Sequence, residues 1–382
     1  MTDSIGTFDI AIVGAGIAGV SAAAELAPYF SVAILERESQ PAYHTSGRSA
    51  ALFTVNNGNP LVCALSAASE PFYANPPAGF CEYPLLAPRG FLHMARADQR
   101  AQLDAFAAAM GGPHRLEEID EAQMRQRIPL LREGYAAAAL WDPTAADIDV
   151  HALLQGYLKL FRAAGGILLA DCDVKGMQRS NKAWTIETRK GVVKAQTVVN
   201  AAGSWADELA TLAGLEPIGL TPLRRTAMIV EAPAAASLLA PGLSDWPMTR
   251  DIDEQFYLKP ESGALLLSPS DETPMPPQDI QPDELDIAIC VDRIEKAFEL
   301  KVQSIKRKWA GLRTFAPDRS PVVGFEPGMD NYFWLAGQGG YGYQTAPALA
   351  RLSSALLRGE DIPEEIQYLG ITQSRLSPAR FR

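Results

Sequence analysis

Three glycines, Gly14, Gly16 and Gly19, follow the apolar run Phe8-Asp9-Ile10-Ala11-Ile12-Val13, and an acid, Glu36, closes a second run, Phe30-Ser31-Val32-Ala33-Ile34-Leu35. Glycines at the first, third and sixth places of a turn that opens a helix leave backbone N–H groups free at the positive end of the helix dipole. That is chemistry for a pyrophosphate. Gly14 permits the turn, Gly16 the close approach of backbone to phosphate, and Gly19 the packing of helix on strand. A carboxylate roughly twenty residues further on is placed for the hydroxyls of an adenosine ribose. Strand, glycines, helix, strand and acid in register predict a dinucleotide site.

Three more stretches could bring backbone or charge to a flat ligand. Gln40 to Ala51 is small and polar, and Arg48 within it could neutralise a phosphate, whereas His44 reads as a hydrogen-bonded structural histidine. Val192 to Asn200 runs as a buried strand into Ala201-Ala202-Gly203 and a helix. Gly337-Gln338-Gly339-Gly340-Tyr341-Gly342-Tyr343-Gln344-Thr345 opens a helix through Leu349, Leu352 and Leu356, with free N–H groups suited to an electron-rich carbonyl or an anionic ring edge.

The elements around these stretches alternate strand and helix at both ends of the chain but not in its middle. Leu61 to Tyr73 and Val150 to Phe161 have helical spacing, the latter ended by Gly165-Gly166. Ile167 to Ala170, Val174 to Met177 and Trp184 to Thr188 read as strands. Phe80 to Ala95 is strand-like; Asp98 is expected to cap a helix that runs to Met110 and stops at Gly111-Gly112. Asp120 to Arg127 is expected as a short helix, Ala136 to Trp141, Leu220 to Val230 and Phe256 to Leu267 as strands, and Glu284 to Leu300 as a helix. Ser320 to Phe325 and Tyr332 to Ala336 resume the alternation, and Ser374 to Arg382 carries too little pattern to predict order. The middle pieces therefore read as a second, inserted domain.

The 382 residues are 47% hydrophobic and 21% charged, enough for two cores, and the net charge of -11 repels phosphate backbones and anionic lipid, which disfavours nucleic acid as a partner. No apolar run reaches the roughly eighteen residues that span a bilayer, and Met1-Thr2-Asp3-Ser4 lacks the basic flank of a signal peptide. Cys63, Cys81, Cys172 and Cys290 form no metal-ligand pattern with the four histidines, so buried free thiols, no metal and a reducing cytoplasm are expected.

The strings GAGIAG (Gly14 to Gly19), YHTSGRSAA (Tyr43 to Ala51), NPPAGFCEYPLL (Asn75 to Leu86), DPTAADID (Asp142 to Asp149), VNAAGSW (Val199 to Trp205), FYLKP (Phe256 to Pro260), WAGLRTF (Trp309 to Phe315) and QGGYGYQT (Gln338 to Thr345) extend over nearly the whole chain. In them the chain resembles the FAD-dependent D-amino-acid oxidase and glycine oxidase family, with the greatest likeness to the bacterial D-arginine dehydrogenases. The resemblance implies an α/β fold: a Rossmann-like FAD-binding domain (1–50, 149–215 and 320–382) and a discontinuous substrate domain of antiparallel sheet plus helices (51–148 and 216–319).

It also implies non-covalent FAD, held by Gly14, Gly16, Ile17, Ala18 and Gly19 at the pyrophosphate, Glu36 and Arg37 at the ribose, and the backbone of Val174 at the adenine. Along the rest of the cofactor it places His44, Ser46, Gly47, Arg48, Ser49, Ala50 and Ala51, then Ala201, Ala202, Gly203 and Trp205. Gly311, Arg313, Gly339, Gly340, Tyr341, Gly342, Tyr343, Gln344 and Thr345 complete that set. Hydride would pass from substrate Cα to flavin N5, giving an imine that hydrolyses to a 2-oxo acid and ammonia. Arg313, a planar double donor, Tyr257 and Arg225 match positions that hold the substrate carboxylate, and the Gly340 carbonyl one that accepts from the amine. The side-chain pocket falls to Leu52, Thr54, Asn57, Phe91, Met248, Arg250, Tyr343 and Gln344.

Three departures bear on the substrate. Where a glutamate and a tyrosine of the relative hold a guanidinium, this chain has Phe91 and Asn57, and Leu52 replaces a histidine. An unpaired guanidinium would lose about 3–5 kcal/mol there, so apolar or aromatic D-amino acids are expected rather than basic ones. Arg250 replaces a valine; outward snorkelling is expected, and an inward side chain would instead suit an acidic substrate. The expected activity is oxidative deamination of D-amino acids, with a quinone, an electron carrier or oxygen as acceptor. The alternatives are oxidation of an acidic D-amino acid, an N-substituted amino acid or a 2-hydroxy acid, or service as the flavin subunit of a larger complex.

Overall fold

The computed structural model describes residues 4–110, 116–180, 182–233, 236 and 239–382. Its first sheet has eight strands, and Ser4–Val13 lies inside it between Val32–Leu35 and Gly191–Asn200, both parallel to it. Ile167–Leu169 adds in parallel beyond Val32–Leu35, and Tyr332–Ala336 joins the end of Gly191–Asn200. Ala183–Thr188 pairs antiparallel along the first half of that strand and Val174–Ser180 antiparallel with Ala183–Thr188, while Val322–Phe325 pairs antiparallel with Tyr332–Ala336. Val13 is level with both Leu35 and Asn200, so the three carboxyl ends deliver Gly14, Glu36 and Ala201 to one edge. Ligands of open parallel sheets bind at such an edge.

Helices cover both faces because their apolar residues recur at the helical period. Val150–Ala163, capped by Asp149 accepting from the Ala152 N–H at 2.8 Å, turns Leu153, Leu154, Tyr157, Leu158 and Phe161 inward. With Ile17–Leu26, Pro60–Ala74 and Gly342–Leu357 it forms one core; Trp184, Tyr332, Trp334 and the helix Ala206–Leu212 form the other.

The second sheet has nine strands drawn from two separated stretches of chain: Phe91–Ala95, Glu117–Asp120 and Ala138–Asp142, then Thr221–Val230, Met248–Asp251, Tyr257–Glu261, Ala264–Ser268, Thr273–Pro274 and Ile305–Phe315. All pairings are antiparallel except Met248–Asp251 on Phe91–Ala95. Alternation with period two divides its faces. Leu92, Met94, Met228, Leu265 and Leu267 pack under the helix Glu284–Ala297, while Phe91, Ala227, Met248, Tyr257 and Leu266 cluster on the opposite face, toward the first sheet. A three-stranded sheet of Leu52–Phe53, Leu86–Pro88 and Ala146–Ile148 lies between. These layers are the expected α/β architecture.

Several local expectations need correction. Phe80 to Ala95 holds two short strands, Leu86–Pro88 and Phe91–Ala95, not one run, because Gly90 at φ 72° breaks it. Asp98 caps nothing: it pairs with Arg96, and the turn before Arg100–Ala109 is closed by Gln99 Oε1 accepting from the Arg96 N–H. The expected Gly111-Gly112 stop lies outside the described residues, as do Met1 to Asp3. Phe256 to Leu267 is a hairpin, turned at Ser262 and Gly263, both with positive φ. Glu284 to Leu300 stops as a helix at Ala297, after which Phe298 and Leu300 enter the core.

The C-terminal tail is docked: Leu376 is fully buried, Arg380 pairs with Asp318, and Arg382 pairs with Glu326. Of the four free thiols only Cys172 and Cys290 are buried, Cys63 and Cys81 being half-buried. No helix among the described residues is long and apolar enough to cross a membrane.

Candidate active site

A cleft of about 1190 Å³, measured to its open mouth, runs along the carboxyl edge of the first sheet. Its floor is the turn after Ser4–Val13. Gly14 has φ 107°, and a Cβ there would lie 2.4 Å from the Ala201 oxygen; one on Gly19 would lie 2.0 Å from the Gly14 oxygen. Only glycine lets turn, helix and the Ala201-Ala202 segment close on one another. Ile17, Ala18, Gly14 and Gly16 face the cleft, and Ser46 accepts from the Ile17 N–H at 3.0 Å, tying the Thr45–Arg48 turn to the helix start.

Glu36 lines the cleft and is oriented by its backbone neighbours: Oε2 accepts from the Ala15 N–H at 2.7 Å and Oε1 from the Glu38 N–H at 2.9 Å. Beyond it Arg37 pairs with Asp173, stands 4.7 Å over the Trp205 ring, and shares that ring with His44, whose Nε2 meets Glu38 at 2.9 Å. Burial raises the Asp173 carboxyl, but Lys175 and Arg37 outweigh it and hold the group below its ordinary range. Val174, Ala201, Ala202 and Gly203 complete this end.

Ile17, Thr45, Ser46, Gly339 and Gly342 are shared with a second cavity, which in turn shares Ser49, Ala50, Arg225, Tyr257, Arg313, Gly340 and Tyr343 with a third. The three form one path from the Glu36 end to the inner face of the second sheet. At its middle Gly339 has φ 56° and Gly340 backs onto Arg313, where a Cβ would meet Nη1 at 2.9 Å. Gly311 and Ser49 line the same stretch.

Arg313 and Tyr257 face this inner space without a hydrogen-bond partner among the described residues, although Tyr257 is only 3% exposed. Arg225 lies beside them, its Nη2 on Glu272 at 3.0 Å and its Nε on the Asp271 oxygen at 3.0 Å; burial and then Arg313 lower its pKa. The third cavity adds Ala51, Leu52, Asn57, Phe91, Met248, Arg250, Tyr341 and Gln344, together with Glu254 and Glu272.

Arg250 points inward, which corrects the expected snorkelling. It is 8% exposed, donates to Glu254 at 2.8 Å and Asn57 at 3.2 Å, and meets His93 Nδ1 at 3.1 Å, because its strand position faces the cavity and leaves no route to solvent. The pocket is therefore charged and not apolar. Thr54 also departs from expectation: its hydroxyl donates to buried Asp142 at 2.6 Å, it lines none of these three cavities, and it anchors the loop that carries Asn57. Thr345 is likewise buried, bonded to the Tyr341 oxygen, and Gly47 packs against the Ala42 oxygen. Arg48, expected at a phosphate, is turned instead to Asp279 and to the carbonyls of Ile280 and Ala310.

Glu254, Glu272 and Asp173 were not singled out from the sequence. Glu254 falls in the acidic turn Asp251 to Gln255 and Glu272 between Pro269 and Pro274, and only the fold sets them at the rim of one cavity.

A model of the family described as FAD dependent oxidoreductase (DAO) matches residues 9–356. The chain belongs to this family. Human mitochondrial dimethylglycine dehydrogenase is 29% identical over 292 residues, 71% of this chain and 33% of that protein, so the chain spans about a third of the length of that relative. Among solved structures, glycine oxidase from Geobacillus kaustophilus superposes with a TM-score of 0.81 at 21% identity over 98% of this chain and 99% of that one. L-proline dehydrogenase from P. horikoshii gives 0.80 at 21% identity over 98% and 97%. These two establish the fold.

The cofactor is FAD, and the site fits it: glycines no Cβ could replace floor the cleft, Glu36 stands at its far end, and the cavity lined by Arg313 shares walls with it. Gln338, which lines the cleft, leaves its buried Nε2 without a partner among the described residues.

Proposed function

We propose that this chain catalyses the oxidative deamination of D-α-amino acids. The observation that carries the reading is the guanidinium of Arg313 and the phenol of Tyr257, both lacking a hydrogen-bond partner among the described residues and both lining the same two cavities, one of which shares walls with the FAD cleft. A planar fork beside a hydroxyl donor is the arrangement a carboxylate needs. Arg225, already held by Glu272, adds charge without a free fork.

In this reading segments 1–50, 149–215 and 320–382 carry the cofactor, and 51–148 and 216–319 the substrate. The Gly340 carbonyl accepts from the substrate amine and so aims Cα. The sheet's inner face, with Phe91 and Met248, excludes water from the reacting carbon. Bound FAD supplies the acceptor for the hydride of Cα, and the released imine hydrolyses to a 2-oxo acid and ammonia. No lysine or unencumbered histidine lines the substrate cavities among the described residues; His93 is buried, meets Arg250, and is held well below its ordinary pKa by burial and that arginine. The substrate therefore enters as the neutral amine, without a general base.

The D configuration rests on the shared strings. The likeness to dimethylglycine dehydrogenase favours a second reading, oxidation of an N-methylated glycine by the same carboxylate clamp. A cytoplasmic setting and a quinone, carrier protein or oxygen as acceptor belong to the proposal. Anaerobic bleaching of the flavin over D-amino acids, L-amino acids, sarcosine, dimethylglycine and 2-hydroxy acids tests it. Reduction by D-isomers is expected; reduction by L-isomers alone, or by the N-methylated glycines alone, overturns it.

A further inference from the structure

Arg250 and Tyr257 are directly opposite in the ladder between Met248–Asp251 and Tyr257–Glu261. Residues so paired stand on one face of the sheet with their Cβ atoms about 5 Å apart. The guanidinium of Arg250 is thus the immediate neighbour of the proposed carboxylate clamp.

The wall that Arg250 shares is rich in donors. Among the described residues Gln344, 4% exposed, lines the same cavity with its Nε2 buried and unpartnered, and Arg250 itself leaves a buried Nε without an acceptor. A buried amide donor with nothing to donate to is costly, and an incoming acceptor removes the cost. The charges point the same way. Glu254 and Glu272 face Arg225, Arg250, Arg313 and Arg319, Glu272 being shared by Arg225 and Arg319. Of the charges that line the cavity, Arg225, Arg250 and Arg313 stand against Glu254 and Glu272, an excess of one positive charge that becomes two when Glu254, 45% exposed, swings out to solvent, His93 being neutral. The clamp at Arg313 accounts for one negative charge on the ligand. Glu254, carried on a turn with its own φ at 54°, places a resident carboxylate on Arg250.

We propose that Arg250 is the specificity-determining residue of a second carboxylate subsite, so that the ligand class is a dicarboxylate: an α-amino acid with an acidic side chain, whose distal carboxylate takes the place of Glu254 on Arg250. The amino-acid part of this assignment rests on the reading above; the subsite does not. Phe91 and Phe106, with ring centroids 5.4 and 5.8 Å from the guanidinium, hold Arg250 in place during that exchange.

The test compares glutarate with butyrate, two unreactive acids, on the FAD-loaded protein by titration calorimetry and by perturbation of the flavin spectrum. Wild type is expected to hold glutarate tighter by about tenfold or more, the worth of one charge-assisted hydrogen bond. Arg250→Met should bring the ratio of the two dissociation constants close to one, and Glu254→Gln, which removes the competing charge, should raise it. A ratio near one in wild type, or a preference that survives Arg250→Met in a flavin-loaded variant, overturns the subsite. A protein that binds glutarate through Arg250 yet is reduced by no amino acid refutes the proposed reaction and leaves the subsite standing. One that deaminates apolar D-amino acids and does not distinguish the two acids does the reverse.

Discussion

Replacing Arg313 by alanine isolates the clamp from the rest of the site. Its guanidinium has no hydrogen-bond partner among the described residues, so the substitution strands no acceptor, and it removes the repulsion that Arg313 exerts on Arg225. Stability should therefore move by no more than about 1 kcal/mol. The cost falls on the substrate. Taking one partner from a desolvated charge pair costs about 3–5 kcal/mol, and neighbouring Arg225, although spent on Glu272 and the Asp271 oxygen, still offsets part of the lost charge. The lower end, about 3 kcal/mol, corresponds to a fall of roughly two decades in kcat/KM.

Arg313→Lys keeps the charge and loses one of two parallel hydrogen bonds, so a loss of about 1.5 kcal/mol is expected. Because Arg313 lines the two inner cavities and not the FAD cleft, flavin content should equal that of wild type. Rapid mixing of oxidised enzyme with substrate under anaerobic conditions measures both flavin content and the rate of bleaching. Kinetics within twofold of wild type at full flavin content, or lysine as damaging as alanine, would refute the reasoning.

Tyr257→Phe deletes one hydrogen bond to the same carboxylate and should cost about 1.5 kcal/mol in kcat/KM, with flavin retained, in the same assay. Gly339→Ala forces a Cβ to 2.1 Å from the buried Phe315 ring at a φ of 56°; a loss of about 2–4 kcal/mol of stability and weaker FAD binding are expected, read by thermal unfolding with and without added FAD. Asp271, buried under Arg224 and accepting from Thr226 N–H and Oγ1, should cost about 3–5 kcal/mol when changed to alanine, seen as a lowered denaturation midpoint. Asp173 titrates below its ordinary range in the folded protein. Its contribution is therefore complete above the unfolded value of about 3.9 and is lost as pH falls through the lower folded value; Asp173→Asn should flatten acid unfolding in that window.

The cofactor half was legible because its determinants are local. Gly14, Gly16 and Gly19 sit within one turn, Glu36 ends the next strand, and the period of Val150 to Phe161 marks a buried helix face; each is set by neighbours a few residues away. The short strands were not legible in the same way. Phe80 to Ala95 read as one run although Pro88 and Gly90 mark a break within it, and the two halves then find different partner strands. The tail from Ser374 to Arg382 carries too little pattern to fold alone, and its order comes from Asp318 and Glu326, more than fifty residues back.

The substrate end depended most on tertiary structure. From the chain alone Arg250 had two possible directions and Thr54 was a pocket residue. Pairing of Met248–Asp251 with both Tyr257–Glu261 and Phe91–Ala95 turned Arg250 to the cavity, and buried Asp142 claimed Thr54. Glu254 meets Arg250 locally, four residues on, but Glu272 met Arg225 and Arg319 only when separate segments converged. A dinucleotide turn is written in consecutive residues, so sequence alone determined that this chain binds one. Which face an isolated arginine takes depends on strand partners distant along the chain, and that was decided by the assembled sheet.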